Sequence, residues 1–435
     1  MRVLAIYAES YGCQMNAYDT EVIVSHLQER GHRIVQVPEE ADCIVVNTCS
    51  VREHAEQRAI GRLFDLSRHR NAVIAVCGCM AQRLGVSLFA RVPAVKILAG
   101  TDSYALLPDA IESAVEAGDR FSFLEMDAGV TYELLPAAFR GGVSRFVSIT
   151  RGCENYCSYC IVPFVRGKVR SRGADSLVSE ISSLVRAGAR EITLLGQNVL
   201  AYRSGEVGFP ALARRVLHET GARRLRFLTS HPRDITRDVF ELMARDGRMC
   251  AHIHLPVQSG SSRILALMNR GYTREHYLAA IAEARSIVPD LAITTDIIVG
   301  FPGETEAEFA ETLSLVREVR FDSAFTFRYS PRNGTAASRL ADDVPAEIKR
   351  ERLQRLNLLV QETRGDILRT QLGATVEILL DGTVQKGEYR FWKGRTPQFR
   401  NVLVPCDSLK EGDIVPATLK RLVNFTFEGE TPPML

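Results

Sequence analysis

The chain lacks an apolar run of about 18 residues, so nothing in it reads as a membrane-spanning helix. Its opening, MRVLAIYAESYGC, carries one basic residue and only short apolar stretches. That is too little for a signal-peptide core and better suits a first strand, so a cytoplasmic protein is expected. Low-complexity tracts and solenoid repeats are absent. An excess of either charge is absent too: Lys+Arg number 54 and Asp+Glu 52, a net charge of +2. A chain-wide basic footprint is thereby excluded, and any nucleic-acid surface must be local. Hydrophobic residues make up 46%, which excludes a mainly disordered chain. At 435 residues, two or three domains are expected. Tryptophan is nearly missing, with one residue, whereas there are ten cysteines. In a reducing compartment these are metal ligands or catalytic groups plus buried bystanders, rather than disulfides.

The pattern of apolar residues divides the chain in three. Over residues 1–100, strand-like runs (Arg2–Tyr7, Ala41–Asn47, Ala72–Val76) alternate with helical periods (Asp19–Arg30, Arg52–Arg68, Ala81–Phe89). This alternation predicts an open parallel sheet covered by helices. Residues 101–140 show no clear period. From Phe146 a second alternation begins, with strands expected at Arg145–Thr150, Glu191–Leu195, Arg224–Thr229, Ala251–Pro256, Leu291–Val299 and Ser323–Tyr329. Helical periods between them include Ser176–Ala187, Thr236–Arg245, Thr273–Ile287 and Glu304–Val319. Six such units predict a barrel short of the usual eight, a partial (β/α)6 barrel. Pro345–Leu372 reads as one amphipathic helix, and Ala374–Leu435 as a small β-barrel broken by Gly, Pro and Asp.

The cysteines follow this division. Cys13, Cys49 and Cys79 stand just after the three early strands, where side chains from separate strands of an open α/β sheet can meet. Their spacing alone leaves a metal site and no site equally open. Cys43 and Cys77 fall within strands and suit small buried hydrophobes, and buried structural roles also suit the isolated Cys250 and Cys406. Cys153, Cys157 and Cys160 form CxxxCxxC directly after a strand. Three thiolates in eight residues suit one soft centre: a zinc site short of its fourth ligand, or a [4Fe–4S] cluster with one iron left open.

The CxxxCxxC run, with Tyr159 before its last cysteine, resembles the radical S-adenosylmethionine (SAM) enzymes. GCQMN (Gly12–Asn16), NTCSVRE (Asn47–Glu53), GCMAQR (Gly78–Arg83) and RGCENYCSYCIVPFVRG (Arg151–Gly167) narrow the likeness to the methylthiotransferases. GQNV (Gly196–Val199), TSHP (Thr229–Pro232), HLPVQSGS (His254–Ser261), MNRGYTREHY (Met268–Tyr277) and TTDIIVGFPGET (Thr294–Thr305) continue it in order. GCQMN, SVRE and the RGC opening look most like the branch that acts on N6-dimethylallyl-adenosine in tRNA. Sibling branches act on threonylcarbamoyl-adenosine tRNA or ribosomal protein S12, and favour GCKVN or a lysine at Gln14.

The resemblance implies an α/β protein of three domains: an N-terminal methylthiotransferase domain (1–120), a radical-SAM partial barrel (139–369) and a C-terminal TRAM β-barrel (372–435). It implies two [4Fe–4S] clusters, an auxiliary one on Cys13, Cys49 and Cys79 and a SAM-binding one on Cys153, Cys157 and Cys160. It implies SAM as methyl donor and radical source, an electron donor such as a flavodoxin or ferredoxin, and a sulfur or iron–sulfur supply system. C2 of adenine is an unactivated C–H that no side chain can deprotonate, which suits cofactor-borne radical chemistry. Gly196, Gln197 and Asn198 stand where the superfamily contacts the methionine end of SAM, though a plain turn after a strand would look the same. Tyr159 is expected near the SAM adenine or as a core aromatic. Asp296 is left open, and His231, His252 and His254 are read as structural. For tRNA, the alternation of Arg166, Lys168, Arg170 and Arg172 predicts one cationic side of an extended segment. Lys386, Arg390, Lys393 and Arg395 are interleaved with Tyr389, Phe391 and Trp392, which suits stacking on looped RNA or simply a solvated hairpin. GRT (Gly394–Thr396) is followed by PQFRNVLVP, a departure from the family pattern that puts tRNA contacts there in doubt.

Overall fold

The structure is a computed structural model that describes residues 2–50, 53–69, 71–127, 129–131, 142–406 and 409–432; Val51 and Arg52 of the NTCSVRE motif and the boundary at 139 lie outside them. The first region is a six-stranded, all-parallel sheet in the order Arg33–Ile34, Ala5–Ser10, Cys43–Thr48, Val73–Gly78, Val95–Ala99, Phe121–Phe123. Cys43–Thr48 is buried along its whole length, as a strand covered on both faces must be. One face packs Ile6, Val45 and Ile97 against the helices Gln14–Glu29 and Leu107–Ala117. The other packs Ile44, Val76 and Leu98 against Glu53–Leu66. The helix read over Ala81–Phe89 is two short ones, Cys79–Leu84 and Ser87–Arg91, separated at Gly85 with φ 57°. The stretch 101–140, which shows no clear period, contains the helix Leu107–Ala117, ended by Gly118 in the left-handed conformation.

The middle region has six parallel strands in two groups of three. Ser144–Ser148, Glu191–Leu195 and Arg224–Phe227 form one; His252–His254, Ala292–Val299 and Ser323–Arg328 form the other. A bridge from Leu225 to Met249 links them. The apolar side of each strand (Ile192, Leu194, Leu225, Phe227, Ile253, Ile293, Ile297) sits in the large core shared with the covering helices. Alternation turns Glu191, Arg226, His254 and Asp296 to the opposite, inner side.

The helix Ala346–Arg369 leads to a closed five-stranded barrel in the order Thr375–Lys386, Tyr389–Arg395, Asn401–Pro405, Thr426–Glu430, Ile414–Val423. Ile378, Leu380, Val402, Val404, Leu419 and Phe427 fill it. This barrel seals the strand-start end of the middle region. Arg224 donates to the carbonyl of Arg395 (2.6 Å), and Arg226 to those of Pro397 (2.6 Å) and Thr396 (2.7 Å). Phe399, at φ 66°, stacks its ring on His252 at 5.2 Å, with the Arg226 and Arg395 guanidinium groups 5.0 and 4.9 Å from it. The PQF segment that departs from the family pattern is therefore a plug between domains. Among the described residues, no helix is long and apolar enough to cross a membrane.

Candidate functional site

The helix Gln14–Glu29 brings the first domain onto the middle one. Met15, Tyr18 and Val22 on it pack with Phe146, Leu195 and Leu228, all on middle-region strands or just beyond their ends. Glu21 pairs with Arg145. Cys13 is the N-cap residue of this helix. Cys49 follows Cys43–Thr48, and Cys79 opens the helix after Val73–Gly78. All three thus stand at carboxyl ends of parallel strands, and the helix carries that end of the sheet to the middle region.

Two of the three are close-packed at Gly12. Gly12 lies at φ 135°, and a Cβ built there would stand 2.3 Å from Cβ of Cys49. Cys13 hydrogen-bonds with Cys49, and this contact chiefly holds its thiol down at about 6, with help from the Arg166 charge. Arg166 Nε donates to Cys79 Sγ at 3.3 Å. Burial pushes the Cys79 thiol up, with Arg166 opposing.

Asp19, with no exposed surface, sits at the middle of this junction. Its carboxylate accepts from Arg151 (2.8 Å), Arg166 (2.9 Å) and Tyr104 (3.1 Å). Burial opposes its ionisation, but the two arginines prevail and hold the carboxyl below its usual range. Removing one partner from such a buried pair typically costs about 3–5 kcal/mol.

The second trio occupies the loop between Arg151 and the short helix Val162–Arg166. Gly152 (φ 79°) has no room for a Cβ, which would lie 2.0 Å from the carbonyl of Lys168. Its amide donates to Gln197 Oε1 at 2.6 Å, so Gln197 ties the cysteine loop to the strand end after Leu195. Arg270 Nη1 donates to Cys157 Sγ at 3.2 Å and to the Tyr159 hydroxyl at 3.4 Å. Burial pushes Cys153 up and Cys160 up to about 12. Metal binding would have to displace those protons. Tyr159 packs against Ile264, Met268, Phe301 and Tyr329, the core-aromatic reading, while lying within the cysteine loop.

Beside Cys153 opens a cleft of about 570 Å³ lined by Glu154, Asn155, Asn198, Arg203, Arg233 and Asp234, the size of a cofactor site. Asn198 Nδ2 donates to Asp234 at 2.5 Å, and its Oδ1 is buried with no partner among the described residues. That orphaned acceptor fits an ammonium group. Gly196 is in van der Waals conflict with any side chain, since a Cβ would stand 2.0 Å from Thr150 Oγ1. Among the described residues no three His, Cys, Asp or Glu side chains close on one point as ligands of a single ion would. Two all-thiol trios, each with a cation at one sulfur, fit a larger anionic cluster better than a lone zinc.

Of the remaining cysteines, three are buried as expected and one is not. Cys43, Cys77 and Cys250 are buried, and burial raises the thiols of all three. Cys406 is only half-buried, because it follows the last residue of the strand Asn401–Pro405. His252 and His254 both bond to Thr294 Oγ1, and His254 faces Asp296 at 3.5 Å.

The cationic stripe on Arg166–Arg172 does not form. Arg166, Arg170 and Arg172 are buried and paired with Asp19, Asp102 and Glu180. The four do not share one side of an extended segment: Arg166 ends the helix Val162–Arg166, the three arginines turn inward to the first domain and the helix Ala174–Arg186, and only Lys168 is exposed. Arg395 is likewise drawn into pairs with Asp381 (2.5 Å) and Glu191 (3.9 Å). Lys386, Arg390 and Lys393 are exposed, with Tyr389 73% exposed between them. Asp19, Arg270 and Asp234 were not singled out from sequence for a site role, although Arg270 lies within the MNRGYTREHY motif.

Residues 147–316 match the radical SAM superfamily, and residues 5–100 the family described as uncharacterized protein family UPF0004. Among solved structures, the radical SAM methyltransferase TsrM from Kitasatospora setae, with cobalamin and a [4Fe–4S] cluster bound, has a TM-score of 0.59 over 78% of this chain and 77% of that one. At 12% identity that likeness is one of fold. The tRNA-2-methylthio-N(6)-dimethylallyladenosine synthase of Phocaeicola vulgatus is 42% identical over 98% of this chain and 95% of its own. That of Moorella thermoacetica is 42% identical over 97% of both. With two thiol trios, a cleft of about cofactor size and this likeness along its length, the chain belongs to the radical SAM family of tRNA-2-methylthio-N(6)-dimethylallyladenosine synthases.

Proposed function

We propose that the protein converts N6-dimethylallyl-adenosine at position 37 of tRNA to its 2-methylthio derivative, using two SAM molecules, one as methyl donor and one as radical source. The observation that carries this reading is the pair of cysteine trios, held to each other's domains by Asp19, Arg151 and Arg166. Cys153, Cys157 and Cys160 would hold one [4Fe–4S] cluster, and Cys13, Cys49 and Cys79 the auxiliary one. When bound, these clusters supply the electron that cleaves SAM and the sulfur that is transferred.

The chain's own residues bind and orient. Asn198 Oδ1 accepts from the SAM ammonium, and Arg203 and Arg233 put positive charge on the rim of the same cleft for its carboxylate. Gln197 keeps the cysteine loop at the strand end by holding the Gly152 amide. The closed C-terminal barrel acts as a TRAM module, with Lys386, Arg390 and Lys393 on phosphates, Tyr389 on a base and Lys168 as a further cation nearer the clusters. A flavodoxin or ferredoxin and a sulfur supply system complete the cycle, in the cytoplasm.

Anaerobic reconstitution tests the assignment. About eight irons per chain and SAM-dependent 5′-deoxyadenosine are expected; zinc in place of iron and no SAM cleavage would refute it. Cys153→Ala should abolish cleavage. Cys79→Ala should retain part of it while mass spectrometry of tRNA nucleosides shows no methylthio product. Equal loss of both activities in Cys79→Ala would contradict the division of labour.

A further inference from the structure

Arg166 joins the auxiliary trio to the middle domain through a cysteine sulfur. It follows the SAM-cluster cysteines in sequence, yet its Nε donates to Cys79 Sγ at 3.3 Å, and its Nη2 to Asp19 at 2.9 Å. It is 3% exposed. Asp19 shares its other oxygen with Arg151, two residues ahead of Cys153. One carboxylate thus divides its charge between the arginine at Cys79 and a second arginine just ahead of the other trio in sequence. A guanidinium that cannot lose its proton, 3.3 Å from a cluster ligand and shielded from water, bears directly on the charge the cluster can accept.

We propose that Arg166 is a positioning and tuning residue of the auxiliary cluster, with Asp19 setting how much of its positive charge the cluster feels. The inference rests on the reading that Cys13, Cys49 and Cys79 hold a cluster. Reduction adds negative charge to a cluster, so a nearby cation raises its potential and a nearby anion lowers it. The two members of the pair therefore have opposite effects: Arg166→Gln lowers the auxiliary potential, Asp19→Asn raises it, and Arg166→Lys, which keeps the charge but not the fork, falls between Arg166→Gln and the parent. A merely structural role, in which either substitution loosens the junction and admits water, moves both in the same direction.

The test is an EPR-monitored redox titration of full-length protein carrying Cys153→Ala, Cys157→Ala and Cys160→Ala, reconstituted so that only the auxiliary site can hold iron. Opposite shifts for Arg166→Gln and Asp19→Asn support the proposal. Shifts of one sign, or none, overturn it while the cluster reading stands. If the triple-alanine protein takes up no four-iron cluster at all, the cluster reading falls, and this inference with it. Should Arg166→Gln not fold, the opposite displacements of Arg166→Lys and Asp19→Asn decide the matter by the same signs.

Discussion

Cys49 and Gly12 touch, and the contact leaves no volume to spare. A methyl group on Gly12 would overlap Cβ of Cys49 at 2.3 Å while also straining a backbone at φ 135°. Gly12→Ala should therefore displace Cys13 or Cys49, and reconstituted protein should lose close to half its iron while keeping SAM cleavage. Iron and 5′-deoxyadenosine measured on one sample check this; full iron content would contradict it. Gly12 is legible in the sequence only as the start of GCQMN, and the reason for it appears once Cys49 is seen across the strand end. Cys153, Cys157 and Cys160 stand out by spacing alone, whereas Cys13, Cys49 and Cys79 stand out as a set only through the motifs around them. The roles of Arg166, Arg170 and Arg172 were not legible. An alternation of arginines predicts a shared side, but whether each meets water or Asp19, Asp102 and Glu180 depends on partners up to 147 residues away or one helix downstream.

At the scale of the element, the helix Glu306–Val319 begins with a full capping box: Thr305 accepts from the Glu308 amide and Glu308 from the Thr305 amide. Glu308 also accepts from Arg263 at 2.7 Å, which chiefly holds its carboxyl down at about 2, from an ordinary 4.5. Its contribution to stability is complete above about 4.5 and fades as pH falls towards about 2, because the unfolded chain takes up the proton first. Urea unfolding at stepped pH should show this acid limb in the parent and a flatter one in Glu308→Gln. The hairpin formed by Thr375–Lys386 and Tyr389–Arg395 carries a different expectation. Replacing Lys386, Arg390 and Lys393 with alanine should weaken tRNA binding and reduce the slope of log K against log salt by about 0.7 per charge. Titration at several salt concentrations measures it, and an unchanged slope would move the RNA surface elsewhere. Most elements agreed with their sequence periods, as Glu191–Leu195 does residue for residue. Leu107–Ala117 escaped because Pro108 and a cap lacking any side-chain hydrogen bond hide its start.

For the whole molecule, the order of open sheet, six-strand region and small β-barrel was legible but their contacts were not. Nothing in PQF announces that Phe399 will lie on His252 between two guanidinium groups. Phe399→Ala should cost about 1–2 kcal/mol at that contact, since the ring is only partly buried. Hydrogen exchange should then quicken at Arg395–Arg400 while the strands Glu191–Leu195 and Ala292–Val299 keep their protection. Uniform loss of protection would mean that the plug holds the whole fold rather than one junction.

The helix Gln14–Glu29 has a consequence for the order in which the protein is made. It leaves the ribosome early, but Phe146, Leu195 and Leu228, against which it packs, and Arg166, which reaches Cys79, are synthesised much later. Domains tend to fold as they emerge, the amino-terminal one first. The first sheet can form with Cys13, Cys49 and Cys79 in sequence order at its strand ends, but their pocket stays open until translation has passed Leu228. On the proposal that these cysteines hold a cluster, iron delivered to the nascent chain would meet an incomplete site, and loading would follow synthesis of the middle strands.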